Sequence, residues 1–305
     1  MSRVIVVGSA NTDLTVKTSR LPGLGETVFG DEFMVSYGGK GANQALAALK
    51  AGASVTLVAK IGTDIYGNRL YDHLVRSGFP SGGLVRDSGH PAGVALIVLD
   101  REGNNQIIVV PGSNNRLNVE DLGLCEPLMT KGAFLLTQLE TPLPTVKHAL
   151  NLAKNHGMTT ILDPAPARSL PETIYAMIDI LTPNEVEAGH LTGISVNTPS
   201  DAEKAASIFC SRGCASVIIT MGSQGALLSS AEGVTFFPAL RVFSIDTVAA
   251  GDAFNGALAA ALAEGRVLSE AIRLATAAGA LATTKRGAQE SLPTREEIEK
   301  VLDTM

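Results

Sequence analysis

Asp246 and Asp252 stand six residues apart in the stretch IDTVAAGDAFNG, residues 245–256. The small residues Ala249, Ala250 and Gly251 let a backbone come close to a ligand. The alanine-rich run that follows reads as a helix, whose first N–H groups lack partners within the helix. Such a helix start attracts anions, and Asp252 would sit beside that anion site. An acidic residue in a first turn also suits the helix dipole on its own account, so this stretch alone serves capping as well as chemistry.

Other polar residues collect after apolar runs. Asn11 and Asp13 follow Val4–Val7, Gln138 and Glu140 follow Phe134–Thr137, and Asp163 follows Thr159–Leu162. Thr182, Asn184 and Glu187 follow Ile178–Leu181, while Gly222, Ser223 and Gly225 follow Val217–Thr220. Each could be a turn or cap residue. Their recurrence at the carboxyl ends of strands is the pattern of a ligand site in an open α/β sheet. Two phosphate motifs fail: Lys40 is followed by Gly41 with Met34 where a P-loop glycine belongs, and Asn11 replaces a glycine of the dinucleotide fingerprint. No Ser-His-Asp arrangement emerges around His73, His90, His148, His156 or His190, which read as structural or solvated.

The elements that must position these residues follow from periodicity. The apolar runs above, with Val55–Ala59, read as buried strands of a parallel sheet, and the stretches 41–49 and 144–153 as crossover helices. From Ala249 onward the chain reads as helical. Residues 213–231, the longest uncharged stretch, read as strand, turn and strand rather than a membrane span. Segments 12–37 and 92–111 break the rhythm, the second as a hairpin turning at REGNN, and predict a small second sheet serving as a lid on a single domain spanning 1–305.

The balance of 24 Lys+Arg against 30 Asp+Glu, net −6, argues against nucleic acid or an anionic membrane as partner. Aromatics at 4%, with no Trp, offer no stacking surface for single strands. Cys125, Cys210 and Cys214 are scattered and odd in number, and the chain starts directly on a strand-like run, so a cytoplasmic protein is expected.

In order along the chain, GSANTD, GGKGANQA, QLETP, DPAPA, TPNEVEAGHLTG, ITMGSQGA, DTVAAGDAFNGAL and TKRGAQESLP resemble the motifs of the ribokinase-like sugar kinases of the phosphofructokinase B family. The resemblance covers nearly the whole chain. It implies a three-layer α/β/α sheet with an inserted β lid, and ATP-dependent phosphorylation of D-ribose at O5 to give ribose 5-phosphate. It implies Asp252 as base, with Ala249, Ala250 and Gly251 as anion hole, although this chain has Ala-Ala-Gly-Asp where the family pattern is Gly-Ala-Gly-Asp. Sugar ligands carried over are Asn11, Asp13, Gly39, Lys40, Asn43, Glu140 and Asp252. Nucleotide ligands are Asn184, Thr220, Gly222, Gly225, Gly251 and Thr276, the last standing where relatives often place His or Asn. Glu187 would approach Mg²⁺ through water. Asp246 would bind K⁺ with oxygens near Val248, Thr283, Arg286 and Ala288 and with Ser291. A homodimer through the lid is implied too. Alternative readings are the same chemistry on 2-deoxyribose, another small sugar or a nucleoside, or a non-catalytic sugar or nucleotide sensor.

Overall fold

The computed structural model describes residues 3–123 and 126–303, so Cys125 lies outside the described residues. The chain begins with β1 (Arg3–Val7), β2 (Asn11–Thr18), β3 (Gly30–Gly38), α1 (Lys40–Lys50), β4 (Ser54–Gly62), α2 (Ile65–Arg76) and β5 (Leu84–Asp87). It continues through β6 (Gly93–Leu99), β7 (Asn105–Val110), α3 (Val119–Gly123), β8 (Phe134–Thr137), α4 (Leu143–Asn155), β9 (Thr159–Leu162) and α5 (Glu172–Tyr175). Then come β10 (Ile180–Leu181), α6 (Glu185–Thr192), α7 (Pro199–Ser211), β11 (Ser216–Thr220), β12 (Gly225–Ser230) and β13 (Gly233–Pro238). The helices α8 (Ala250–Ala263), α9 (Leu268–Ala282) and α10 (Arg295–Leu302) finish it.

Nine strands form one sheet in the order β13-β12-β11-β10-β9-β8-β1-β4-β5. Alternate residues of β1 bury on opposite faces: Val4 and Val6 join a core with α1, α8 and α9, while Ile5 and Val7 join one with α4 and α7. Burial on both faces is why the strands are continuous apolar runs. It makes three layers, helices on either side of the sheet.

The sheet departs from the parallel expectation at one edge, where β12 and β13 run antiparallel. Only the turn Gly222–Gln224 joins β11 to β12, too short for the crossover that a parallel neighbour needs. The expected strand Ile178–Leu181 shrinks to two residues. Ile178 closes a turn onto the Tyr175 carbonyl, and the Asp179 carboxylate accepts from the Thr160 N–H and hydroxyl.

A second sheet, ordered β3-β2-β6-β7, is built from the two segments that broke the rhythm. β2 and β6 pair in parallel and stitch them together, and the turn after β6 closes with Asp100 N–H on the Asn104 carbonyl. β7 is exposed along its whole length, with Ile108 at 64% exposure. Among the described residues no helix is long and apolar enough to cross a membrane.

The contact that matters most for the site is α1 against α8. A β-carbon on Gly256 would lie 2.5 Å from the Gln44 carbonyl, so this glycine lets the two helices approach backbone to backbone. That approach sets the polar residues of α1 beside the first turn of α8.

Candidate active site

The first turn of α8 is preceded by Ala249 at φ 60°, ψ 10°, the one described residue other than glycine in the left-handed region. The conformation costs a residue with a β-carbon about 1–2 kcal/mol. It turns the chain sharply into the helix. Ala250 N–H reaches the Thr247 carbonyl at 3.3 Å, so it is already engaged, and the Gly251 and Asp252 N–H groups are the unspent donors of the first turn.

The Asp252 carboxylate is buried and held at both oxygens. Asn43 Nδ2 donates to Oδ2 at 2.9 Å and Gln44 Nε2 to Oδ1 at 3.0 Å. Gln44 Nε2 also donates to Asp163 Oδ2 at 2.7 Å, and its Oε1 accepts from Gln138 Nε2 at 2.6 Å. One glutamine therefore ties two buried carboxylates together. Burial pushes the Asp163 carboxyl up, against the pull of the Lys40 ammonium.

In front of Asp252 lies a cavity of about 180 Å³. Ala249, Ala250, Gly251, Asn184, Glu187 and Thr220 line it, together with Lys40, Asp163, Thr182 and Asn255. Lys40 Nζ has no hydrogen-bond or ion-pair partner among the described residues. Burial alone would lower its pKa, but the carboxylates of Asp252, Asp163, Glu140 and Glu187 outweigh that and hold it well above the usual lysine range. A fixed ammonium beside helix N–H groups suits phosphate. Asn184 and Glu187 form a capping box on α6, so the structural role of both is realised. That cap uses Glu187 Oε2 and leaves Oε1 without a protein partner among the described residues. Burial raises the Glu187 carboxyl, opposed by the Asn184 N–H and by Lys40.

On the lid side the structure gathers Asn11, Asp13, Gly39 and Glu140. Glu140 Oε2 accepts from the Ser9 hydroxyl at 2.5 Å and from Lys40 N–H at 3.0 Å. Gly39, at φ 88°, passes so close that a β-carbon would sit 2.9 Å from Asn11 N. Asp13 is half-buried, and its carboxyl rises from the ordinary 3.8 to about 7 through burial, then the charges of Glu140 and Glu290. Because Lys40 and Asn43 belong to α1, the same helix touches this group, Asp252 and the cavity.

Asp246 accepts from Val248 N–H at 3.0 Å and from Gly287 N–H at 3.1 Å. Ile245 and Asp246 N–H both reach the Thr283 carbonyl, at 2.7 and 3.1 Å, and Ser291 donates to the Ala288 carbonyl at 2.8 Å. Two loops thus meet at Asp246, Val248, Thr283 and Gly287, with Arg286 and Ala288 flanking Gly287. Asp246 has no basic ion-pair partner among the described residues.

Three carried-over nucleotide residues do not line the cavity: Gly222 and Gly225 bound the turn beyond Thr220, and Thr276 lies on α9 with its buried hydroxyl unpartnered among the described residues. Gln44 was not singled out from the sequence, and Asp163 was noted only as a polar residue at a strand end. Of the histidines, His73 is half-buried, stacked on Tyr37 with ring centroids 4.2 Å apart and hydrogen-bonded to Gln289 at 2.7 Å.

The model of the pfkB family carbohydrate kinases matches residues 1–295. The chain is 39% identical over 298 residues to a ribokinase of Haemophilus influenzae, covering 98% of this chain and 97% of the relative. Among solved structures it resembles ribokinase from Thermotoga maritima, with TM-score 0.90, 38% identity and coverage of 98% and 99% of the two chains. It also resembles an Arabidopsis thaliana ribokinase complexed with ribose and ATP, with TM-score 0.90, 31% identity and 98% coverage of each. Motif order, fold and full-length similarity agree, and the chain belongs to the pfkB family of carbohydrate kinases.

Proposed function

We propose that this chain is a ribokinase, transferring the γ-phosphoryl group of ATP to O5 of D-ribose. The observation that carries the reading is the Asp252 carboxylate, clamped at both oxygens between a polar lid-side group and a cavity holding an unpartnered lysine. Asn11, Asp13, Gly39, Asn43 and Glu140 bind the sugar hydroxyls, which both donate and accept. Asp252 takes the proton from O5 as that oxygen attacks phosphorus, and ADP departs. Lys40 and the N–H groups of Ala249, Gly251 and Asp252 neutralise charge on the transferring group. Phosphoryl transfer needs little more than such positioning and neutralisation. Asn184, Thr220, Gly222, Gly225 and Thr276 are the nucleotide side, the last three as an outer wall beyond the cavity.

Mg²⁺ fits the donor set, since it prefers hard oxygens reached through water, and Glu187 with its uncommitted oxygen would hold it, beside Asp163. When bound it would neutralise phosphate charge. An assay of ATP consumption across a panel of pentoses, hexoses and nucleosides tests the reading. Ribose should give the highest kcat/KM. Binding without turnover would instead make the chain a sensor.

Asp246 is the acid of a K⁺ site that includes backbone oxygens around Val248, Thr283, Arg286 and Ala288 and the Ser291 hydroxyl. Support comes from an acid with no basic partner among the described residues at the meeting of two loops. A cation there would steady the chain that carries Ala249–Gly251 before phosphate arrives. Potassium is expected to raise activity severalfold over sodium or a bulky organic cation at matched ionic strength. Asp246→Ala should remove that response and lower activity. Equal rates in all three salts would leave Asp246 as a turn residue.

The protein works as a cytoplasmic homodimer paired through the second sheet. β7 is an edge strand whose Ile107, Ile108, Val109 and Val110 are 53%, 64%, 50% and 46% exposed, and an open apolar edge invites a partner. Light scattering should show a dimer at micromolar concentration; a fully active monomer would refute it.

A further inference from the structure

We infer that Asn114 is a positioning residue that sets sugar specificity: it holds the Asn11 side chain with its oxygen turned into the protein and its nitrogen left for the sugar. The inference rests on the proposed placing of Asn11 among the sugar ligands and adds that the hydroxyl it meets is the 2-hydroxyl of ribose.

The assignment starts from backbone groups whose chemistry is fixed. Asn114 Oδ1 accepts from Ala10 N–H at 2.9 Å, and Asn114 Nδ2 donates to the Ala10 carbonyl at 3.2 Å. An N–H cannot accept and a carbonyl cannot donate, so the Asn114 amide has one allowed orientation. Its Nδ2 donates its second proton to Asn11 Oδ1 at 2.7 Å. That fixes the second amide in turn. Asn11 Nδ2 then has no protein partner among the described residues.

The clamp is rigid because the turn that carries it is pinned. Ser113 N–H reaches the Pro91 carbonyl at 2.8 Å, and the Ser113 hydroxyl accepts from Gly62 N–H at 3.1 Å and donates to the Lys60 carbonyl at 2.8 Å. Asn114 is 2% exposed and Asn11 5%. Gly93, the β6 partner of Asn11, completes the arrangement, because a β-carbon there would overlap both Asn114 Nδ2 and Asn11 Oδ1.

The consequence is directional. An unclamped asparagine can turn its amide to suit a ligand, whereas this one presents a donor. A ribose 2-hydroxyl accepts that N–H, and a sugar without the hydroxyl leaves a buried donor unmet, which a polar site resists strongly.

The test is steady-state kinetics on ribose and 2-deoxyribose with the parent protein, Asn114→Leu and Asn11→Met, with melting temperatures to check folding. Asn114→Leu should lower kcat/KM for ribose by about tenfold through KM, and that for 2-deoxyribose by less than about twofold, so the ratio contracts. A merely structural role would lower both sugars alike and leave the ratio unchanged, overturning the inference. If Asn11→Met contracts the ratio and Asn114→Leu does not, the positioning role fails and Asn11 keeps its own. If Asn11→Met leaves the ratio alone, the underlying reading has failed. The parent protein supplies a check that needs no folded variant. 2-Deoxy-2-fluororibose carries only an acceptor at that carbon and should outperform 2-deoxyribose; the opposite order would overturn the orientation.

Discussion

Replacing Asp252 by asparagine should lower kcat by about 10²-fold or more while ribose and ATP still bind. The amide keeps the shape of the carboxylate but cannot accept the proton of the attacking hydroxyl. It retains one oxygen for Asn43 or Gln44 and sets an NH₂ against the other donor, which disturbs the clamp at one of its two points. The proposed substrate contacts through Asn11, Glu140 and Lys40 are untouched. The loss should therefore appear in kcat, with KM for ribose and for ATP changing only a few-fold. Calorimetric titration with each substrate, beside turnover and a melting curve, separates the cases. A folded variant with near-normal turnover would take Asp252 out of the base role.

Asp252 was legible as a candidate because three small residues before it and a helix after it suit an anion site, although the same stretch suits a capping aspartate equally well and the other strand-end polar residues had to decide. The strands around it were legible for a related reason. Val4–Val7 and Phe134–Thr137 bury both faces, so an apolar run is all they can be. The antiparallel edge was legible in part: residues 213–231 read as strand, turn and strand, as β11 and β12 are, but the direction of pairing depends on the length of the turn after Thr220 rather than on residue type. Gln44 stayed hidden because its importance arises from distance: it meets Asp252 across 208 residues and Asp163 across 119. The close passage at Gly256 brings α1 beside α8 and so Gln44 to Asp252. Asn114 is similar, an unremarked residue in a PGSNN turn until β2 and β6 pair in parallel and bring it to Asn11. Asp246 and Glu187 each carry two readings for a physical reason. Each carboxylate accepts from backbone N–H and keeps further acceptor capacity, so in sequence a capping residue and a metal ligand look alike.

Asp13 should make ribose capture depend on pH across neutrality. Its carboxyl rises from 3.8 to about 7 because it is buried and because Glu140 and Glu290 add negative charge nearby. Sugar hydroxyls donate most strongly to an ionised acceptor, roughly twice as well as to a neutral one. With Asp13 as a sugar ligand, as proposed, ribose should bind best to the deprotonated form, and kcat/KM, which reports the free enzyme, should fall as pH drops below about 7. Asp13→Asn should flatten that limb and lower kcat/KM at pH 8 by about 10²-fold, the scale of losing a charge-assisted hydrogen bond. Asp163 and Glu187, also raised by burial, remain in the variant, so whatever slope they impose survives and only the Asp13 limb disappears. Stability should move the opposite way. The folded protein binds the Asp13 proton more tightly than the unfolded chain, so the stability this group contributes is fully present below pH 3.8 and is lost as pH rises through about 7. Asp13→Asn should then melt higher than the parent at pH 8 without sugar, with the gap closing toward pH 4. A parent whose kcat/KM for ribose stays level from pH 8 to pH 6, or a variant that melts lower at pH 8, would show that Asp13 is not the titrating sugar ligand.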